Sequence, residues 1–262
     1  MTKAYESISV ERVAQTEWIT FQRTKQMNAL SSQMLDETAS ALDVAMNDDA
    51  VRVVAITGSG RAFCAGADLK EVAGTTIAPG ERNMLDRVDS VFGTMRNGPK
   101  PVIAVVNGLA MAGGLELVMA CDLVFAAQSA KMGDAHSNFG VFPGAGGAAI
   151  LPNRIGLNRA KDLLFSGENV TSQQMMDWGL VNRVVADDDL RGAVQTYADK
   201  LSDKSPAVLR RMKTMANRAM NTDEQSALAE EMLHLLSHMR SWDMQEGLSA
   251  FAEKRKPKFR GY

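Results

Sequence analysis

The sequence predicts an α/β protein with a helical C-terminal end, and three observations carry that expectation. Short β-branched apolar runs alternate with stretches of helical periodicity through the first three quarters of the chain. Beyond residue 200 only amphipathic helical patterns remain. Glycines cluster where the apolar runs end and the helical patterns begin. Strand, loop, helix, strand alternation of this kind implies α/β crossovers with right-handed connections. At 262 residues, 45% hydrophobic and 23% charged, the chain is long enough for one large domain with a smaller appendage.

Taken in order, Ser7 to Phe21 alternates polar and apolar residues and reads as a β-hairpin turning near Gln15-Thr16. Ser31 to Met46 places Met34, Leu35, Leu42, Ala45 and Met46 on one helical face, with Thr38 filling the intervening turn and Ser31 or Ser32 as N-cap. Val51 to Thr57 is a β-rich run stopped by Gly58-Ser59-Gly60. Residues 73–82 read as a mobile loop, and 83–96 as a second helix. Pro101 to Val106 is a buried strand whose proline takes the first position, where a missing N–H is tolerated. After Asn107-Gly108 a third helix runs from Gly113 to Ala120, and Leu123 to Ala126 is again a strand. Pro206–Met220, Asp223–Met239 and Trp242–Lys254 complete the helical end. No internal repeat or low-complexity segment is legible.

The charge balance excludes several function classes. Twenty-nine Lys and Arg against 31 Asp and Glu leave a net charge of −2, too little field to gather nucleic acid. Cys64 and Cys121 lack any CxxC or Cys/His spacing, so neither a zinc site nor a redox pair is expected, and a reducing compartment is. His234 and His238 stand four apart on one helix without a third ligand nearby, which reads as packing or solvent-facing rather than as a metal site. No stretch approaches the ~18 apolar residues of a membrane span, and the N-terminus carries no targeting pattern, so a cytoplasmic protein is expected.

Three glycine-containing segments are placed for chemistry. Ala65-Gly66-Ala67, after the 51–57 strand, allows a ligand to approach the main chain closely; a tight surface turn is the alternative. Gly113 and Gly114 open a helix, so free N–H groups and the positive dipole end face any developing negative charge. Glu116 follows in the first turn, either as a dipole-stabilised surface acid or as a pocket carboxylate. Gly140-Val141-Phe142-Pro143-Gly144-Ala145-Gly146-Gly147 lacks a following GKS or GKT and is not a phosphate-binding Walker loop; by itself it is a loop leading into a helix.

In this order the segments resemble the enoyl-CoA hydratase/isomerase (crotonase) superfamily over nearly the whole chain. Residues 23–30, RTKQMNAL, are similar to an early family element, with Thr24 where the family has proline. ITGSGRAFCAGADLKE (56–71) and VNGLAMAGGLELVMACDLVFA (106–126) resemble the two oxyanion segments. GVFPGAGG is similar to the stretch that follows, and EGLSAFAEKRKPKF (246–259) to the family's helical ending. The resemblance implies a crotonase-like (ClpP/crotonase) spiral of ββα units over residues 1–195, binding acyl-CoA and carrying catalysis. It implies a helical trimerisation or lid domain over 196–262 and assembly as a homotrimer or a hexamer, a dimer of trimers.

The activity implied is that of an enoyl-CoA hydratase: reversible addition of water to a 2-enoyl-CoA through a thioester enolate. The backbone N–H groups of Ala67 and Gly113 would form the oxyanion hole. Coenzyme A, part of the substrate rather than a bound cofactor, would lie along Lys25, Met27, Ala29, Ala65, Asp68, Leu69 and Lys70, with Pro143 in the substrate site. Lys70, Lys256 and Lys258 are candidates for its phosphates. Hydratases of the family use two glutamates. Glu116 stands at the first position, but His136 occupies the second. Three readings follow: His136 takes over as acid/base, it activates water for a different reaction, or it is a pocket wall and Glu116 acts alone. The second reading resembles the family's β-diketone hydrolase branch, although Ala145 stands where that branch has aspartate. Asp134 lies two residues before His136, either on the same face of an extended loop, to fix its tautomer or serve as second carboxylate, or as a solvated loop residue. The competing functions are an isomerase or C–C or thioester hydrolase, and a catalytically silent acyl-CoA binder.

Overall fold

A computed structural model describes residues 5–74 and 83–262. The loop expected over 73–82 lies outside the described residues from position 75 on. The chain begins with an antiparallel hairpin, β1 (Ile8–Val13) and β2 (Thr16–Phe21), which turns through Ala14 and Gln15. Helix α1 (Ser32–Asn47) starts where Ser31 accepts the Met34 N–H, and it buries the predicted face with Ala41 added.

Three passes of strand, strand and helix follow. The first comprises β3 (Val53–Gly58), β4 (Ala62–Cys64), α2 (Leu69–Gly74) and α3 (Met84–Asn97). The second comprises β5 (Val102–Val106), β6 (Leu109–Met111) and α4 (Gly113–Ala120). The third comprises β7 (Leu123–Ala127), β8 (Lys131–Gly133), α5 (Leu151–Ile155) and α6 (Leu157–Ser166). Then come β9 (Asn169–Thr171), α7 (Ser172–Asp177), β10 (Arg183–Val185), α8 (Leu190–Ser202), α9 (Pro206–Ala219), α10 (Glu224–His238) and α11 (Trp242–Ala252).

The first strand of each pass enters a six-stranded sheet ordered β1-β2-β3-β5-β7-β10, and the second enters a four-stranded sheet ordered β4-β6-β8-β9. All pairings are parallel except β1 with β2 and β8 with β9. Each pass therefore steps the chain one strand along both sheets, the mixed α/β spiral expected. Strand β5 is buried along its whole length and β3 at all but one residue, which is why they read as continuous apolar runs rather than as alternation. Trp18, Phe21, Phe63, Phe92 and Phe125 are fully buried in the core beside them.

Helix α8 packs across the large sheet, where the Gln195 Oε1 accepts the Trp18 indole N–H at 2.8 Å. The expected domain limit between 195 and 196 thus falls inside this helix. Helix α9 is fastened through Lys213, whose Nζ donates to the Met95 and Lys100 carbonyls and pairs with Asp122 at 2.7 Å. Helix α10 leaves Leu228, Met232, Leu233, Leu235 and Leu236 exposed. Among the described residues no helix is long and apolar enough to cross a membrane.

Candidate active site

The ends of β4 and β6 bring two backbone N–H groups side by side. Leu30 bridges residues 66 and 68: its N–H donates to the Gly66 carbonyl at 2.8 Å, and its carbonyl accepts the Asp68 N–H at 2.8 Å. In a parallel bridge the intervening residue points its own N–H the other way, so that of Ala67 has no partner among the described residues. Ala112 donates to the Gly133 carbonyl and holds φ +50, ψ −117, a conformation that strains a non-glycine residue. The next residue, Gly113, opens α4, and its N–H has no intrahelical acceptor. A Cβ built on Gly113 would lie 3.5 Å from the Ala67 nitrogen, so the two donors are neighbours.

Glu116 lies one turn into α4 and is buried. Its Oε1 accepts the N–H groups of Ala145 at 2.8 Å and Gly147 at 2.9 Å, which wraps the glycine-rich loop onto the carboxylate. Oε2 has no protein partner among the described residues. Arg96 holds the other side of the loop, donating from Nη2 to the Ala145 carbonyl at 2.8 Å.

His136 begins a short 3-10 helix (His136–Phe139) after β8. The fully buried Asp134 accepts its backbone N–H at 3.1 Å, and the two Asp134 oxygens lie 2.8 and 2.9 Å from Nδ1. The hydrogen bond that Nδ1 donates to Asp134 holds the imidazole pKa above its ordinary value; burial opposes this, and the negative charges of Asp134 and Glu116 add to it. With a carboxylate on Nδ1, that nitrogen carries the proton, and Nε2 is the atom free to exchange one. Gly147 joins the two acidic groups. Its N–H holds Glu116, and a Cβ at this position would come 2.8 Å from Asp134 Oδ2, so a side chain there would displace one of them.

Glu116, His136, Ala67 and Gly113 line one cavity of about 350 Å³ together with Ala65 and Leu69. Its walls are apolar: Val72 from α2, Met84, Leu85 and Val88 from α3, and Phe139, Val141 and Phe142 from the segment that follows His136. Sequence reasoning missed these walls. The signal available for part of them was a Val-Phe pair lodged between glycine and proline in a loop.

The remaining predicted residues sit around the rim. Ala65 donates to the Met27 carbonyl at 3.1 Å, so residues 25–29 run beside 65–70. Met27 receives an Arg61 contact on sulfur, and the Ala29 carbonyl accepts from Arg23. Asp68 is paired with Arg23 at 2.8 Å, which holds its carboxyl below the usual range. Lys25 and Lys70 are exposed, and Pro143 packs against Gly147 rather than lining the cavity. Lys256 pairs with Asp203 at 2.7 Å, and the Lys258 N–H donates to Glu246. His234 and His238 are not joined: the first meets Arg211 and Glu230, the second Ser241.

Comparison with known proteins gives consistent relatives. The family model described as enoyl-CoA hydratase/isomerase matches residues 11–262. The chain is 37% identical to a probable enoyl-CoA hydratase of Mycobacterium bovis, covering 97% of this chain and 98% of that one. It is 36% identical to the crotonyl-CoA hydratase of Syntrophomonas wolfei, covering 98% of each. Among solved structures, the enoyl-CoA hydratase of Bacillus anthracis superposes with a TM-score of 0.92 at 35% identity, over 98% of this chain and 100% of that one.

Proposed function

This chain belongs to the enoyl-CoA hydratase/isomerase family, and from that premise we propose that it is an enoyl-CoA hydratase with a Glu–His catalytic pair in place of two glutamates. One observation carries the reading: the Ala67 and Gly113 N–H groups, without acceptors among the described residues, belong to residues that line the same cavity as Glu116 and His136. The thioester carbonyl oxygen accepts from both amides, which stabilise the charge it gains as the enolate forms. The N-terminal end of α4 adds to that field. Water lies between Glu116 and the imidazole. Glu116 takes its proton through Oε2 as the hydroxyl bonds to Cβ, and the Nε2–H of protonated His136 supplies the proton at Cα. The pair returns to its starting charges when the proton on Glu116 passes to Nε2, so one water is added and none is consumed elsewhere. Dehydration follows the same path backwards.

Coenzyme A lies along residues 25–29 and 65–70, with no permanently bound cofactor. The apolar face of α10 is suited to burial against further copies, in a trimer or a hexamer, and residues 196–262 supply that surface. A cytoplasmic location fits the two buried, unpaired cysteines.

Purified protein is expected to convert crotonyl-CoA, and longer 2-enoyl-CoAs, to 3-hydroxyacyl-CoA; failure with every enoyl-CoA would overturn the reading. His136→Ala is expected to lower turnover at least about tenfold, the loss of one acid/base group. The acting form of His136 is protonated and its pKa is raised, so activity extends to higher pH than an ordinary imidazole would allow and declines as pH rises through that raised value. Asp134→Asn removes the group that raises it. The alkaline limb of the kcat profile then moves to lower pH, whereas an Asp134 that merely fills space would leave the limb in place.

A second reading is favoured by the buried Asp134 alone. A carboxylate-backed imidazole is also a general base for water, which suits cleavage of a β-ketoacyl-CoA with the enolate leaving into the same oxyanion hole. Release of two shorter products from a β-ketoacyl-CoA, without hydration of any enoyl-CoA, selects that reading.

A further inference from the structure

A second concave site lies at the N-terminal ends of β3 and β5, away from the ends that lead into β4 and β6. It is a cavity of about 130 Å³ between the spiral core, α9 and the C-terminal tail. Arg52, Lys100, Lys204, Arg210 and Arg260 line it against one carboxylate, Asp49. So many like charges around one small concavity raise its potential, and a bound anion relieves their repulsion.

Neighbouring carboxylates are committed elsewhere. Asp48 pairs with Arg12 at 2.8 Å, and Asp203 with Lys256 at 2.7 Å. Asp243 is buried, with its oxygens taken by the N–H groups of Arg260 and Gly261 and by the Ser205 hydroxyl. Those bonds pin the tail to the N-cap of α9, so two walls of the cavity are tied together. Several cations, by contrast, lack partners. Among the described residues Arg52 Nε is buried without an acceptor, and its Nη2 reaches only the Phe259 carbonyl, at 3.5 Å. The side chains of Lys204 and Arg210 have no hydrogen-bond or ion-pair partner among the described residues. Lys100 is held by the Ala45 and Asp48 carbonyls, and Arg260 stacks on Trp242, so these two shape the wall. Pro206 and Arg210, in the first turns of α9, also face the cavity, which adds the positive end of a helix.

We propose that this cavity binds a phosphate group, held by Arg52, Lys204 and Arg210. Arginine forks and a lysine suit a tetrahedral dianion, and the space admits one phosphate but not a nucleoside. The phosphate is either free or carried on a larger ligand whose body stays outside.

Titration of the full chain with inorganic phosphate and, separately, with ADP tests this by calorimetry and phosphorus NMR. At least one is expected to bind with a dissociation constant of about 1 mM or tighter, weakening as chloride is added. Saturation by inorganic phosphate assigns the free anion; binding of ADP alone assigns a phosphate on a larger ligand. Lys204→Gln/Arg210→Gln, at two exposed positions, is expected to weaken that binding about tenfold or more. The double variant should keep the circular dichroism spectrum and the turnover of wild type, which separates this site from the active-site reading. Absence of binding by both ligands, or binding that the double variant leaves intact, would overturn the proposal.

Discussion

Glu116→Gln is expected to lower kcat for crotonyl-CoA hydration by about a thousandfold while changing KM little. The substitution keeps what Glu116 does for the fold. A glutamine carbonyl in the place of Oε1 still accepts the Ala145 and Gly147 N–H groups, so the loop stays wrapped. What it removes is the second oxygen, the one without a protein partner, and an amide nitrogen there takes no proton from water. Loss of activity with an unchanged circular dichroism spectrum and melting temperature therefore assigns proton transfer to Glu116. Retained activity would reduce Glu116 to a loop anchor and leave the chemistry to His136.

Gly114→Ala carries the second large effect, through the fold. A Cβ at 114 would lie 2.0 Å from the Cys64 carbonyl oxygen and 2.8 Å from its carbon, both main-chain atoms that no rotamer change can clear. Strand β4 would have to shift, taking Ala65 to Ala67 with it and separating the Ala67 N–H from that of Gly113. The expected cost is about 3 kcal/mol, the upper end for overpacking, and a fall in Tm of roughly 10 °C for a chain of this size. Turnover should fall with it, because an oxyanion hole depends on donor placement. Gly192→Ala serves as the control: an exposed position within α8 where a Cβ meets nothing within 4 Å, it should be neutral or mildly stabilising. Equal melting temperatures for the two variants would contradict the packing argument.

The elements legible in the sequence are those that bury a whole strand or one broad helical face. β3, β5 and β7 appeared as apolar runs, and α1, α3 and α9 to α11 were bounded within one residue except the C-terminal end of α11, which ends two residues earlier, because burial leaves a long periodic signature. The smaller sheet was not legible. Its strands, such as Ala62–Cys64 and Leu109–Met111, are three residues long, too short to show a period of two, and they form only because the spiral stacks them. The same segments were singled out by their glycines, so their chemistry was visible before their structure.

The site divides the same way. The spacing of Asp134 and His136 left two readings open, one face of an extended loop or a solvated aspartate, and the full burial of Asp134 rules out the solvated one. They meet instead through a turn, in which Asp134 captures the His136 backbone N–H and Nδ1 together at the start of a 3-10 helix. The Ala145 and Gly147 N–H groups that fix Glu116 carry no side-chain signal, and no spacing rule points to them.

The most direct test of the account is the product formed from a 2-enoyl-CoA in oxygen-labelled water by wild-type protein. The account predicts 3-hydroxyacyl-CoA with one labelled oxygen at the β-carbon, formed by wild type and lost in Glu116→Gln. Intact enoyl-CoA after prolonged incubation with wild type, alongside labelled carboxylic acid released from a β-ketoacyl-CoA, would contradict it.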